Sequence, residues 1–181
     1  MQIAATYDPE GFKDRGFVQV ISEDGDAAGP ARAVADLEAE IAERERASSW
    51  QDPEHPRWIW PATADIAPAL LRRGTGVDRC YDLALTEALL LGHEGRCGEP
   101  RSLGAAWARL HGLPVPPDRD EGALDAPADN PTTQPALFEP DRSGLPPDAD
   151  PLRAVREVYA GQLRRIAATE RPGRFRLLVA A

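Results

Sequence analysis

Two hydrophobic periods divide the chain. Ile3 to Tyr7 is a short apolar run closed by Asp8-Pro9-Glu10-Gly11, and Phe17, Val18, Val20 and Ile21 form a second, β-rich run closed by Glu23-Asp24-Gly25-Asp26. Short runs bounded by turn formers predict strands, and their closeness predicts a hairpin opening a sheet. From residue 31 to 47 the period changes: Val34, Leu37, Ile41 and Ala42 make a stripe with charges on the other face, which predicts a helix. Trp58-Ile59-Trp60 then reads as a buried strand, Asp65 to Arg73 as a helix with Ile66, Leu70 and Leu71 on one face, and Cys80-Tyr81 as a short strand leading into a helix from Asp82 to Leu91. Ser102 stands where a cap would open a helix through Leu103, Trp107 and Leu110, stopped by Gly112. Asp150 caps a longer helix to Thr169, with Leu152, Val155, Val158, Tyr159, Leu163 and Ile166 inward. Strands first, then alternating helices and strands, predict an α/β domain with a mixed sheet. Phe175 to Ala181 is a strand-like or helix-leading apolar run with no polar tail, so the sequence reads as the N-terminal fragment of something longer.

Composition changes this picture in one place. Between Pro114 and Pro151 lie ten of the 18 prolines and nine acidic residues, opposed only by Arg119 and Arg142. That stretch carries −7 of the net charge of −9 and has no apolar periodicity, which predicts a disordered linker over 113–150 between a domain at 1–112 and a terminal piece at 151–181. Bulk acidity argues against nucleic acid, because binding phosphate rests on cations. The charge is uneven, however. From Tyr159 onward Arg164, Arg165, Arg171, Arg174 and Arg176 face only Glu170, and these five arginines are either a solvated helix face or a site of nucleic-acid contact. No apolar run reaches the roughly 18 residues of a membrane span. Cys80 and Cys97 are too few for a disulfide framework, and the start of the chain lacks a signal core, so a cytoplasmic protein is expected.

Most motif-based chemistry finds no support. Cys80, His93, Cys97 and His111 lack zinc-ligand spacing, Arg73-Gly74-Thr75-Gly76-Val77 lacks the lysine of a phosphate loop, and Ser48-Ser49 has no nucleophile-elbow glycines. The tryptophans could stack on bases, but Trp58 and Trp60 alternate along a strand and read as core.

Three longer strings carry more. CYDLALTEALLLGHEGR at 80–96, EPRSLGAAWARLHG at 99–112 and YAGQLRRIAATERPGRFRLLVAA at 159–181 resemble the N-terminal region of bacterial bifunctional 3′-5′ exonuclease/DNA polymerases, family A enzymes of the polymerase I type. The resemblance implies an RNase H-like exonuclease fold, DNA as partner in the intact, nucleoid-associated polymerase, and a C-terminal polymerase region whose motifs are missing from this sequence. It also implies a two-metal site for Mg²⁺ or Mn²⁺, in which carboxylates from three segments hold ions about 3.5–4 Å apart. The first segment would be Asp8-Pro9-Glu10, although Pro9 favours a turn. The second would place a ligand at Asp65, 17 residues before Asp82, with Pro61 where the family has asparagine. The third, Tyr-x-x-x-Asp, reads Tyr159-Ala160-Gly161-Gln162-Leu163, and leucine offers a metal nothing. The resemblance with this departure implies a degenerate site, with Asp65 and Tyr159 vestigial and no bound cofactor expected. Two alternatives stay open: a working Mg²⁺-dependent proofreading exonuclease using Asp8, Glu10, Asp65 and a fourth acid such as Glu157, and an acidic protein-interaction module.

Overall fold

The structure, a computed structural model, describes residues 1–8, 15–118 and 144–180. Five strands form one sheet in the order β3-β2-β1-β4-β5, built from β1 (Gln2–Tyr7), β2 (Gly16–Ile21), β3 (Arg32–Val34), β4 (Arg57–Trp60) and β5 (Cys80–Asp82). The first three make an antiparallel meander, and β4 and β5 then run parallel to β1. Among the described residues six helices pack on it: α1 (Leu37–Ala47), α2 (Thr63–Arg72), α3 (Leu83–His93), α4 (Leu103–Leu110), α5 (Pro151–Ala167) and α6 (Pro172–Ala180).

Strand alternation separates two cores, because successive side chains point to opposite faces of a sheet. Ile3, Ala5, Val18, Trp58 and Trp60 pack against Leu37 and Ile41 of α1 and Ile66 and Leu70 of α2, each helix offering its apolar pair at i, i+4. Ala4, Ile21, Ile59 and Tyr81 face the other way, onto Leu83, Leu103, Val155, Val158 and Tyr159 from α3, α4 and α5. The sheet is therefore a middle layer. A smaller cluster of Leu90, Ile166 and Phe175 holds α6, so the apolar run at the end of the chain is helical rather than strand-like.

One expected boundary is corrected. The helix read over 31–47 starts only at Leu37, because Asp36 accepts the Ala39 N–H at 2.9 Å and fixes the first turn there. Ahead of it Val34 serves an edge strand. The acidic, proline-rich stretch expected over 113–150 has its central part, 119–143, outside the described residues, and both described ends are anchored rather than loose. Asp118 accepts the backbone N–H groups of Arg101 (2.7 Å) and Ser102 (2.8 Å), and Leu145 is buried in the core beneath α4.

That second anchor is tight. A Cβ built on Gly104 would overlap the Gly144 carbonyl oxygen, so the helix and the returning chain meet backbone to backbone. Gly104→Ala should displace the 144–149 segment and cost about 1–3 kcal/mol, as overpacking of a filled site does. Chemical denaturation checks it, and a loss below about 0.5 kcal/mol would mean the approach is not needed.

Candidate metal centre

The parallel strands β1, β4 and β5 end on one edge of the sheet, where α/β sheets usually place their ligands. The residues at that edge are Asp8 after β1, Asp65 in the first turn of α2 and Asp82 closing β5. Asp8 stands at the mouth of the first hairpin, its N–H donating to the Arg15 carbonyl at 3.0 Å, while Glu10 lies outside the described residues. Among the described residues, neither Asp8 nor Asp65 belongs to any group of three ligand-bearing side chains close enough to share an ion. The buried carboxylate nearest the end of β1, Glu38, takes the Tyr7 hydroxyl at 2.6 Å and faces Arg73 at 3.8 Å. An arginine provides the cation there.

The third expected segment goes elsewhere. Tyr159 is buried in the core, edge-on to Tyr81 at 4.8 Å, and its hydroxyl donates to Gln2 Oε1 at 3.3 Å. Burial pushes the Tyr159 hydroxyl above its ordinary pKa. Gln2 begins β1 and Asp8 follows its end, and six steps of strand separate their backbones by about 20 Å. Leu163, one turn beyond Tyr159, packs on the same apolar core. Glu157 is engaged too, accepting from Arg153 Nε (2.7 Å), His111 Nε2 (2.9 Å) and Trp107 Nε1 (3.0 Å). Burial opposes its charge, but those donors outweigh burial and hold the carboxyl below its ordinary value. The described residues do not fit a two-metal carboxylate site.

The ligand cluster that does form lies at the opposite edge, ahead of β4 and β5. Glu45 is in the last turn of α1, His55 in the loop before β4, and Asp78 in the loop before β5. The His55 Nε2 atom is 3.4 Å from Glu45 Oε2 and 3.5 Å from Asp78 Oδ2, and the three ligand atoms lie within 4.8 Å of one another. His55 is fully buried, whereas the Asp78 side chain is 52% exposed. Trp58 Nε1–H donates to Glu45 Oε1 at 2.7 Å, the Asp78 N–H donates to Glu45 Oε2 at 3.2 Å, and His55 Nδ1 shares a hydrogen with Ser48 Oγ at 2.9 Å. Two carboxylates and an imidazole so arranged can hold a divalent cation. Sequence reading misses this centre because its ligands stand at i, i+10 and i+33, a spacing that matches no short motif; the only hint was a histidine next to the apolar Trp58-Ile59-Trp60 strand.

The five arginines divide. Arg165 is committed to Glu87 (2.8 Å) and Glu94 (2.8 Å), while Arg164, Arg171, Arg174 and Arg176 are exposed. A groove of about 360 Å³ between α3, α4 and α5 is lined by Arg96, Arg109 and Arg165, each already paired with a carboxylate. Among the described residues no helix is long and apolar enough to cross a membrane. No protein family, no curated protein and no solved structure matches the chain.

Proposed function

We propose that this chain is an RNase H-like, 3′-5′ exonuclease-type domain of a family A DNA polymerase that scaffolds the polymerase and touches DNA without cutting it. The observation that carries the reading is the burial of Tyr159 in the core beside Gln2, about a strand length from Asp8, with Leu163 packed half-buried against the same core. Phosphoryl transfer by two metals needs carboxylates converging within one ion's reach, and a helix that spends its inward face on apolar packing brings none. The order β3-β2-β1-β4-β5, with β2 alone antiparallel to its neighbours, supports the RNase H-like architecture. The exposed arginines 164, 171, 174 and 176 offer the cationic surface through which such a domain would meet a DNA backbone.

An end-labelled single-stranded oligonucleotide incubated with the chain and Mg²⁺ or Mn²⁺ should remain untrimmed, with Asp65→Ala indistinguishable from the parent. Metal-dependent loss of 3′ nucleotides that Asp65→Ala abolishes would replace this reading with the active proofreading one. Weak DNA binding is expected in the same sample, declining steeply with salt and reduced by the pair Arg174→Glu and Arg176→Glu.

A further inference from the structure

We propose that Glu45, His55 and Asp78 form a zinc site that clips the ends of α1 and of the two loops entering β4 and β5. The site lies at the opposite edge of the sheet from Asp8 and Asp65 and holds a buried nitrogen with no hydrogen-bond partner. His55 Nε2 makes no hydrogen bond, yet the ring is fully buried and this atom is aimed between two carboxylate oxygens. Buried polar atoms are nearly always satisfied, and an orphan facing two acids has room for a group that all three can bind, which for this ligand set is a cation.

Distances and ligand types together suit zinc. Around zinc, with nitrogen and oxygen ligands at about 2.0–2.2 Å, the edges of a tetrahedron are about 3.3–3.6 Å. The His55–Glu45 and His55–Asp78 separations of 3.4 and 3.5 Å are edges of that size. An octahedron around Mg²⁺ has edges of about 2.9 Å and an all-oxygen preference, so neither the spacing nor the imidazole suits it. A nitrogen donor with two carboxylates is a ligand set for a borderline metal.

The surroundings prepare the ligands. In the tautomer that donates its Nδ1 hydrogen to Ser48 Oγ, His55 presents a lone pair at Nε2, the form that binds metal, and the Ser48 contact fixes the ring plane. The Trp58 indole holds Glu45 Oε1, which turns Oε2 toward the histidine. Glu45 is 6% exposed and closes the inner side. Asp78 forms the outer rim, and a water would take the fourth position on its solvent side. Bound metal would join segments 33 residues apart and so tie helix α1 to the entry of β5.

The full chain, stripped by chelator and titrated with Zn²⁺ in a non-coordinating buffer, should bind one equivalent and melt at a higher temperature when loaded. Co²⁺ should give the strong visible absorption of a tetrahedral complex, and Zn²⁺ but not excess Mg²⁺ should abolish it. Asp78→Asn, at a half-exposed position where the fold is safe, should weaken Zn²⁺ at least tenfold, and His55→Gln should do likewise; Ser48→Ala should weaken it less. Cys97→Ser removes the exposed thiol as a rival ligand and should leave the affinity unchanged. Absence of saturable binding, an unchanged affinity in folded Asp78→Asn, or loss of binding in Cys97→Ser would each overturn the proposal.

Discussion

Glu87→Ala should destabilise the protein by about 3–5 kcal/mol, the usual consequence of breaking a buried ion pair from one side. Glu87 sits on α3 and is almost wholly buried. Its Oε1 accepts from Arg109 Nη1 of α4 at 3.1 Å, and its Oε2 accepts from Arg165 Nη1 (2.8 Å) and Gln162 Nε2 (3.1 Å) of α5. One carboxylate therefore fastens three helices, and its removal leaves the largely buried Arg109 guanidinium with only Glu99 at 3.5 Å and the Pro100 carbonyl, while Arg165 keeps Glu94. Replacing the whole network with aliphatic side chains should cost much less, since no charge would be left without its partner. Urea denaturation of Glu87→Ala, Glu87→Gln and the triple variant Glu87→Met, Arg109→Leu, Arg165→Met checks the order. A loss below 1 kcal/mol for Glu87→Ala would show that water replaces the carboxylate freely.

Asp82→Ala should cost about 2–3 kcal/mol, near the sum of two ordinary caps. Helix α2 has no capping side chain of its own, because Ala62 occupies the position. Asp82 supplies it from the end of β5. Its Oδ2 accepts the Thr63 N–H at 2.7 Å, and its Oδ1 accepts the Leu85 N–H of α3, also at 2.7 Å. A single side chain thus serves two helix N-termini, where negative charge is also favoured by the helix dipole. Hydrogen exchange should quicken at Thr63 and Leu85 together, and Asp82→Asn should lose less than alanine because it keeps an acceptor. Quickening at only one of the two amides would refute the shared cap.

These two residues show where sequence patterns suffice. Apolar spacing locates α1, α2, α4 and α5, and Ser102 and Asp150 act as the caps their positions suggest, accepting from Ala105 and Arg153. A cap donated across the chain, from Asp82 to α2, leaves no trace near Ala62. The edge strand β3 is equally hidden: only Val34 of its three residues is buried, so no alternation announces it. The candidate centre was illegible for a related reason, since Glu45 looks like one more charge on a polar helix face and Asp78 like a loop acid. Only the sheet's parallel register, with Trp58 opposite Cys80, sets their loops side by side.

The bond between Tyr159 and Gln2 joins residues 157 apart and has a consequence for synthesis. All five strands are complete once Asp82 has left the ribosome, but the sheet face carrying Ala4, Ile59 and Tyr81 is covered largely by α5, which begins at Pro151. Elongation at about 5–20 residues per second leaves that face, with only α3 and α4 to cover it, partly open for several seconds. The nascent chain is then a sheet with one dry side and one wet side, a form that invites chaperones or sticking to another copy. A ribosome stalled before α5 should display a protease-sensitive, aggregation-prone intermediate, whose second face closes only when the last long helix arrives.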